Sequence, residues 1–337
     1  MKTLRRNPGR ERGVAVITAL LLTTLAVAIV ASLFWQQQVQ VRSMENQRLQ
    51  LQTKWIQRGA LDWAALILRS SAGLPYTSTN QPWATPLAET RLDQYIERER
   101  VEGENFDATL SGNITDASAR YNLRNLAAED GTVDGVQRAM FERLLSNLRI
   151  DTALARRAAD YVARGQPVTG PPVQPDEGAP PPPPPLKDQQ AAREVPGSPM
   201  RFLQVDDLLS VPGFTPVMVE QLRPFVTVLP KRTRVNVNTA PPEVLAAAIE
   251  GMSVSEANAL VLRRQQAEWR NMGNFTTALQ GRQVAENLGE LVDVKSDWFL
   301  VNSRIRLDRA ALDAESLIER SSPVQGGGVK VWWIRQY

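Results

Sequence analysis

The pattern of apolar and polar positions divides the first 70 residues into two parts of one predicted helix. Residues 14–35 carry no charge, and residues 14–58 contain neither glycine nor proline. A bilayer is spanned by about 20 apolar residues in a helix, so the first part is long enough. The following part, 36–70, is amphipathic, with Trp55 and Trp63 on its apolar face. The pattern predicts a transmembrane helix that continues as a stalk, with both tryptophans packed on a sheet.

Beyond the stalk, the pattern changes from strands to helices and back to strands. Alternating positions predict strands at 106–110 and 119–123, joined by a turn through Gly112 and Asn113. Helical spacing dominates residues 125–290. Final strands are predicted at 298–307, 314–321 and 329–336. Because strand regions flank the helical block, we predict an α+β fold in which one antiparallel sheet carries a large α-helical insertion.

Two local motifs mark the helical block. Residues 235–241 alternate and then open a helix, for which Asn238 or Thr239 is the predicted cap. Residues 165–199 hold 12 of the 23 prolines, six of them consecutive. A run of this kind favours an extended polyproline spacer, here an expanded loop within the helical region.

The composition excludes several classes of chemistry. The sequence has no His and no Cys, which rules out a Ser-His-Asp triad, a thiol nucleophile and the common zinc sites. The net charge of +3 belongs to the basic stretch before the apolar run, and the remainder is close to neutral. Charge therefore gives no case for nucleic-acid binding. The basic stretch predicts an N-terminus in the cytoplasm.

The junction between the basic stretch and the apolar run carries one well-placed small residue, Gly13. A secretory signal peptide instead has a shorter apolar core followed by its cleavage site. Residues 12–17 resemble the cleavage site of type IV prepilins and pseudopilins. The resemblance implies that a prepilin peptidase cuts after Gly13 and that the new N-terminus, Val14, is methylated. An ordinary single-pass anchor with a chance glycine is the alternative.

The fifth mature position departs from that pattern, because Thr18 stands where pilin-like proteins usually carry Glu. A carboxylate in a bilayer is costly unless it is paired. The resemblance implies that, in pilin-like filaments, this Glu pairs with the terminal amine of a neighbouring subunit. A subunit with nothing above it needs no such partner, so Thr18 predicts a position at a filament tip. Val14, Thr18 and Leu22 are the candidate assembly residues.

Together and in order, the motifs resemble the protein K family of minor pseudopilins of the type II secretion system. The stretches that carry the resemblance are 12–15, 121–126, 211–214 and 235–241. It implies a pilin-like sheet with two SAM-like helical subdomains and no enzymatic activity. It implies a role at the tip of the periplasmic pseudopilus, with minor pseudopilins I and J and other pseudopilins, in the export of folded proteins across the outer membrane. The implied location is the inner membrane, with a single span and a periplasmic C-terminal domain.

On this interpretation the chain consists of a leader, a membrane helix, a stalk and a pilin-like domain interrupted by helical subdomains. The predicted boundaries are 1–13 for the leader, 14–35 for the membrane helix, 36–70 for the stalk, 71–124 for the first part of the pilin-like domain, 125–225 for the first SAM-like subdomain with its Pro-rich loop 165–199, 235–290 for the second, and 291–337 for the closing strands.

Related proteins of that family carry acidic calcium-binding loops in the helical insertion. The corresponding stretch here is 161–165 and the proline run, in which Asp176 and Glu177 are the only acids before Asp188. Calcium needs several oxygen ligands in close spacing. The sequence therefore predicts no cofactor, and the calcium site is not carried over.

Two other functions compete with this interpretation. Residues 211–214 and 238–241 also resemble helix-hairpin-helix modules of membrane-anchored DNA-uptake receptors, although Glu250 places a carboxylate at the second turn. An anchored carboxylate-dependent hydrolase would use Asp206 and Asp207. Side chains adjacent on a helix diverge by about 100°, which is poor geometry for a paired acid and base.

Overall fold

The apolar and polar halves of the first 70 residues form one continuous helix. The computed structural model describes residues 12–92, 108–165, 199–279, 282, 285–321 and 328–337. Helix α1 spans Arg12–Ser70 without a break. Its 59 residues correspond to about 88 Å at 1.5 Å per residue. The chain turns away just before Gly73 and Pro75, because neither residue favours continuation of a helix.

A five-stranded antiparallel sheet packs on the second half of α1. Its strands are β1 Leu87–Arg91, β2 Ala108–Asp116, β7 Trp298–Leu307, β8 Ala310–Arg320 and β9 Val329–Gln336. The order in the sheet is β1-β2-β7-β8-β9, and each neighbouring pair is antiparallel. Strands from before and after the helical block thus form one sheet. The predicted fold class, an antiparallel sheet with a long helix and an α-helical insertion, is confirmed.

Local strand predictions are wrong in three places. Gly112 and Asn113 lie inside β2, which continues through the predicted turn to Asp116. Only glycine permits this, because a Cβ at position 112 would collide with the carbonyl oxygen of Asn302 on β7. The strand predicted at 119–123 shrinks to β3, Tyr121–Asn122, between two 3-10 turns. Strand β8 begins at Ala310, because its hairpin with β7 is tight. Part of the strand predicted at 106–110 lies outside the described residues.

The helical insertion lies between β2 and β7. Its helices are α2 Gly135–Asn147, α3 Ala153–Arg164, α4 Pro216–Leu222, α5 Pro242–Ala248, α6 Val254–Gln266, α7 Met272–Ala278 and α8 Leu288–Leu291. Two short parallel pairs tie the chain together: β3 with β4 Val226–Thr227, and β5 Val235–Asn236 with β6 Val292–Asp293. One apolar core runs through the insertion, with Leu126, Phe141, Leu145, Leu245 and Phe275 fully buried.

The face of α1 that packs on the sheet differs from the predicted one. Leu61, Ala64 and Leu68 are buried against the central strands of the sheet. Trp55 and Trp63 lie elsewhere on the helix, with 71% and 46% of their surface exposed. The prediction that both tryptophans pack on the sheet is therefore wrong. The tryptophans form the helix face with the larger apolar side chains. The sheet packs on the other face, because the smaller side chains there allow it to approach the helix closely.

Helix α6 begins with a capping box that makes a testable pKa prediction. The Glu256 carboxylate accepts hydrogen bonds from the Ser253 hydroxyl at 2.7 Å and the Ser253 N–H at 2.9 Å. These bonds, with help from Arg282, lower the pKa of Glu256 from 4.5 to about 2. A lowered folded-state pKa means that this stabilisation is present above about pH 4.5 and is lost as the pH falls toward 2. We expect Ser253→Ala to raise the Glu256 midpoint in an NMR titration, and an unchanged midpoint would contradict the assignment.

Candidate assembly site

The apolar half of α1 is bare of protein contacts within the described part of the chain. Every residue from Val14 through Trp35 is exposed, including Leu22. Among the described residues, α1 is the one helix that is long and apolar enough to cross a membrane. An exposed apolar run of this length is stable only among lipids or other apolar helices.

Thr18 lies near the start of α1 with its hydroxyl group already satisfied. Its Oγ1 lies 3.0 Å from the carbonyl oxygens of both Val14 and Ala15, so it donates within its own helix. The residue therefore needs no polar partner from another chain. Gly13 and Val14 are the second and third residues of α1. Cleavage between them and methylation of Val14 remain predictions.

An apolar groove runs along the stalk half of α1. We call it the stalk groove; its walls are Trp55, Ile56, Gly59 and Trp63 on the helix and Leu87 and Leu110 on the sheet. Its volume is about 660 Å³, and it is open to solvent. Gly59 leaves the helix backbone uncovered, since no other part of the described protein lies within 4 Å of where its Cβ would be. Contiguous exposed apolar surface of this kind marks an interaction site in a folded protein.

A buried polar junction joins the top of the stalk, the sheet and the helical insertion. At its centre is the Asp116 carboxylate, which accepts hydrogen bonds from Ser296 Oγ at 2.5 Å, Thr239 Oγ1 at 2.6 Å and Asn236 Nδ2 at 2.9 Å. Burial raises the pKa of Asp116, and these three bonds oppose the increase. Since Asn236 and Thr239 belong to the insertion, the carboxylate anchors the insertion to the end of β2.

Arg320 completes the junction from the end of β8. Only 1% of its surface is exposed. Its guanidinium group donates to Ser71 Oγ at 2.9 Å, Thr77 Oγ1 at 2.8 Å and the Ser296 carbonyl oxygen at 2.8 Å. Burial lowers the pKa of Arg320, whereas the charges of Asp297 and Asp116 raise it. Because Ser71 directly follows α1 and Thr77 lies in the segment after it, the junction fixes the insertion at the end of the helix remote from the apolar segment.

The motif at 235–241 acts in this junction rather than as a helix cap. The predicted cap by Asn238 or Thr239 is wrong, because Pro241 is the N-cap of α5 and no side chain bonds there. Thr239 donates to Asp116 instead, and Asn238 donates to the Trp269 carbonyl oxygen at 2.9 Å. The importance of Arg320 was missed, although one signal was present: it falls two residues after buried Ile318, on the inward face of its strand.

The carboxylates considered for hydrolysis have structural partners. Asp206 forms an ion pair with Arg223 at 2.6 Å, and the hydrogen bond from Arg223 lowers the pKa of Asp206. Asp207 accepts hydrogen bonds from the backbone N–H groups of Leu203 and Gln204 at 2.6 and 2.9 Å, where a 3-10 helix begins. The two side chains are bound to different groups and supply no paired acid and base.

Each of the two hairpin turns considered for DNA binding accepts a hydrogen bond from an arginine of the protein itself. Arg157 Nη1 donates to the Pro212 carbonyl oxygen at 3.1 Å, beside Gly213. Arg282 Nη1 donates to the Gly251 carbonyl oxygen at 3.0 Å. Both guanidinium groups are therefore bonded to carbonyl oxygens of the turns themselves, and at Gly213 the Arg157 side chain also lies where a phosphate would approach the backbone.

The described residues contain no cluster of acidic side chains suited to calcium. Within the described ranges, no group of three or more His, Cys, Asp or Glu side chains is placed to hold a metal ion. Calcium requires six to eight oxygen ligands. Residues 166–198, which include most of the Pro-rich loop, lie outside the described part of the chain. The absence of a calcium site from the whole chain therefore stays a prediction.

Known proteins of similar sequence share one name. The chain is 26% identical to type II secretion system protein K of Dickeya chrysanthemi, over 94% of this chain and 95% of the relative. It is 28% identical to the protein of that name from Pseudomonas aeruginosa, over 88% and 85% of the two chains. The Klebsiella pneumoniae protein is 26% identical, over 94% and 95%.

The fold and the family models agree with this likeness. A chain in the crystal structure of the GspK–GspI–GspJ complex from the enterotoxigenic Escherichia coli type 2 secretion system matches with a TM-score of 0.62. The match covers 88% of this chain and 99% of that chain at 20% identity, which shows a shared fold. Two family models, both described as type II secretion system protein K, match residues 119–231 and 235–295. Because these models together match more than half of its length, the chain belongs to the family of type II secretion system protein K.

Proposed function

We propose that the chain is a minor pseudopilin that caps the tip of the periplasmic pseudopilus and supports its assembly for the export of folded proteins. The observation that carries the proposal is the buried junction of Asp116 and Arg320, which fixes the helical insertion over the end of α1 remote from the membrane segment. In this proposal, the insertion occupies the upper end of the subunit, on which another subunit would otherwise stack.

The proposed partners are minor pseudopilins I and J. The structural relative was crystallised in a complex with GspI and GspJ, and the match covers 88% of this chain and 99% of that chain. Two exposed apolar surfaces on α1 suit such partners: the segment from Val14 through Trp35, and the stalk groove. Partner helices that start in the same membrane would pack along both surfaces.

Assembly begins, in this proposal, with removal of the basic leader by the prepilin peptidase. Cleavage after Gly13 frees Val14, which is then methylated. The membrane segment then packs through residues such as Leu22 against equivalent helices and exchanges lipid for protein contacts. Thr18, whose hydroxyl is satisfied within α1, demands no terminal amine from a subunit above it. This is the behaviour expected of the uppermost subunit.

Location follows from the same features. Its family and its exposed apolar helix indicate that the protein is membrane-anchored. We propose the inner membrane as the site, with the basic N-terminus in the cytoplasm and the sheet and insertion in the periplasm, because cationic residues flank the cytoplasmic end of membrane helices.

The stalk groove provides the experiment. We expect the double variant Trp55→Ala/Trp63→Ala to fold normally, since both side chains are exposed, with a free energy of unfolding within about 0.5 kcal/mol of the parent. The same variant should lose minor pseudopilins I and J when it is purified from detergent-solubilised membranes. Loss of two central aromatic contacts weakens a protein interface by at least about 30-fold.

The matched control is Lys54→Ala/Arg58→Ala, which changes two exposed polar side chains next to the same tryptophans. This control should keep both partners. Retention of I and J by the tryptophan variant would remove the stalk groove from the interface. Failure of the unmodified chain to retain I and J would contradict the proposed function itself.

A further inference from the structure

The outer edge of the sheet at β9 has backbone hydrogen-bonding groups with no backbone partner among the described residues. Tyr337 N donates to the Asp313 carbonyl oxygen at 2.9 Å, and Ser321 N donates to the Gly328 carbonyl oxygen at 2.8 Å. In an antiparallel pair, residues alternate between bonding the partner strand and pointing away from it. The two bonds show that Tyr337 and Gly328 point toward β8, and the alternation can be followed from them along the register of the two strands. The backbone N–H and C=O groups that point away from β8 are those of Val329, Val331, Ile334 and Gln336.

No element of the described chain covers these groups. Strand β9 is last in the sheet order, and no backbone hydrogen bond joins Val331 or Ile334 to another described element. Both side chains are also exposed, at 40% and 46% of their surface. An edge strand with free backbone groups and apolar side chains is a template for a further strand.

A bulge gives the two faces of this edge different chemistry. The register shifts between Leu317 and Ile318, which makes Trp332 an extra residue in β9. As a result, Trp332 and Trp333 lie on the same face of the sheet and pack on one apolar cluster, away from α1. A cation lies over each ring: Lys330 Nζ is 4.3 Å from the Trp332 ring centre, and Arg335 Cζ is 4.1 Å from that of Trp333. The face toward α1 presents the apolar Val331 and Ile334 instead.

Cations outnumber acids on the face away from α1. Lys231 lies 5.8 Å from the Trp332 ring centre, and Arg120 lies near Glu315. The acids opposite β9 are Glu319, which is bonded to Lys231 Nζ and Trp332 Nε1, and Glu315. Asp206 and Glu220 also lie near Arg335, and both are paired with Arg223. Five cations therefore face four acids, and the excess charge is positive.

This charge pattern disfavours a second copy of the chain as the occupant. Antiparallel pairing of β9 with itself, centred between Trp332 and Trp333, would place Lys330 opposite Arg335 twice. Like charges directly opposite each other destabilise a strand pair.

We propose that the free edge of β9 binds an extended segment of another protein by strand addition, and that this segment alternates acidic and apolar side chains. Its acidic residues lie beside Lys330 and Arg335, and its apolar residues lie beside Val331 and Ile334. Main-chain hydrogen bonds supply affinity in this mode, and the alternate side chains supply specificity. The inference does not depend on a tip position or on the stalk groove.

The test uses hydrogen exchange of the full chain in detergent micelles, with mass spectrometry of the peptide that covers β9. The probes are two synthetic ten-residue peptides at neutral pH, one alternating Glu with Val and one alternating Lys with Val. At a concentration about ten times its Kd, the Glu–Val peptide should slow exchange of the outward amides about tenfold. The Lys–Val peptide should leave exchange unchanged.

Two variants make the test specific. Ile334→Pro removes an outward N–H group and keeps the hydrogen bonds to β8, since proline is tolerated where an edge strand faces solvent. This variant should abolish the protection of β9 by the Glu–Val peptide. The control, Ile334→Val, should retain that protection. Lys330→Glu/Arg335→Glu should exchange the preference, so that the Lys–Val peptide now protects β9. Equal protection of the proline variant, unchanged preference of the charge variant, or no protection by the Glu–Val peptide would overturn the proposal.

Discussion

Replacing Arg320 by alanine is expected to lower the free energy of unfolding by about 3–5 kcal/mol, the range for removal of one partner from a buried charged network. The guanidinium group is almost fully buried and donates to Ser71, Thr77 and Ser296 at 2.8–2.9 Å. It also lies over the Phe299 ring at 4.6 Å. Alanine would leave a cavity, and the Asp116 carboxylate would lose its nearby positive charge.

The matched control for this prediction is Arg304→Ala on the neighbouring strand. Arg304 forms an exposed ion pair with Asp313 at 2.8 Å, and such pairs contribute less than about 1 kcal/mol. Arg320→Lys should recover only part of the loss, because one ammonium group cannot reproduce the planar fork. Urea denaturation in micelles, followed by tryptophan fluorescence, measures all three variants. Equal midpoints for Arg320→Ala and Arg304→Ala would show that the junction does not hold the insertion in place.

Leu22→Glu is expected to block assembly through the membrane segment. Leu22 is exposed in the middle of the apolar run, where it faces lipid or a partner helix. A carboxylate placed near the centre of a membrane helix costs about 2.5–3.5 kcal/mol, which corresponds to roughly a 100-fold change in an equilibrium. Secreted protein in the culture medium should fall accordingly when this variant replaces the parent.

Leu22→Ile is the control, because it keeps the apolar surface and should secrete normally. Fractionation of membranes separates two causes of failure, since a chain that is inserted but not assembled is recovered with the inner membrane and without I and J. Normal secretion by Leu22→Glu would contradict the assembly role given to this segment.

Periodicity predicted the long elements well because they depend on local chemistry. The run from Val14 to Arg58 contains no helix breaker, and α1 is indeed continuous. The final strands follow their alternation, with β7 and β9 at the predicted bounds. What periodicity could not decide is which of two helix faces a sheet covers. Trp55 and Trp63 are the larger side chains, but packing selected the face of Leu61, Ala64 and Leu68.

The junction was beyond sequence reasoning for a different reason. The hydrogen bonds that join its members, Asp116, Asn236, Ser296 and Arg320, span 24 to 180 residues along the chain. Single-sequence patterns carry no information on which distant residues meet. Gly112 is a similar case, because the close approach of β7 explains a glycine that otherwise reads as a turn.

The measurement that tests the central claim most directly is the mass of the mature N-terminus, determined from membranes in which the cognate peptidase is present. The claim that this chain is a processed pseudopilin predicts a chain that begins at methylated Val14. An intact chain that begins at Met1 would contradict it and would make α1 an ordinary membrane anchor.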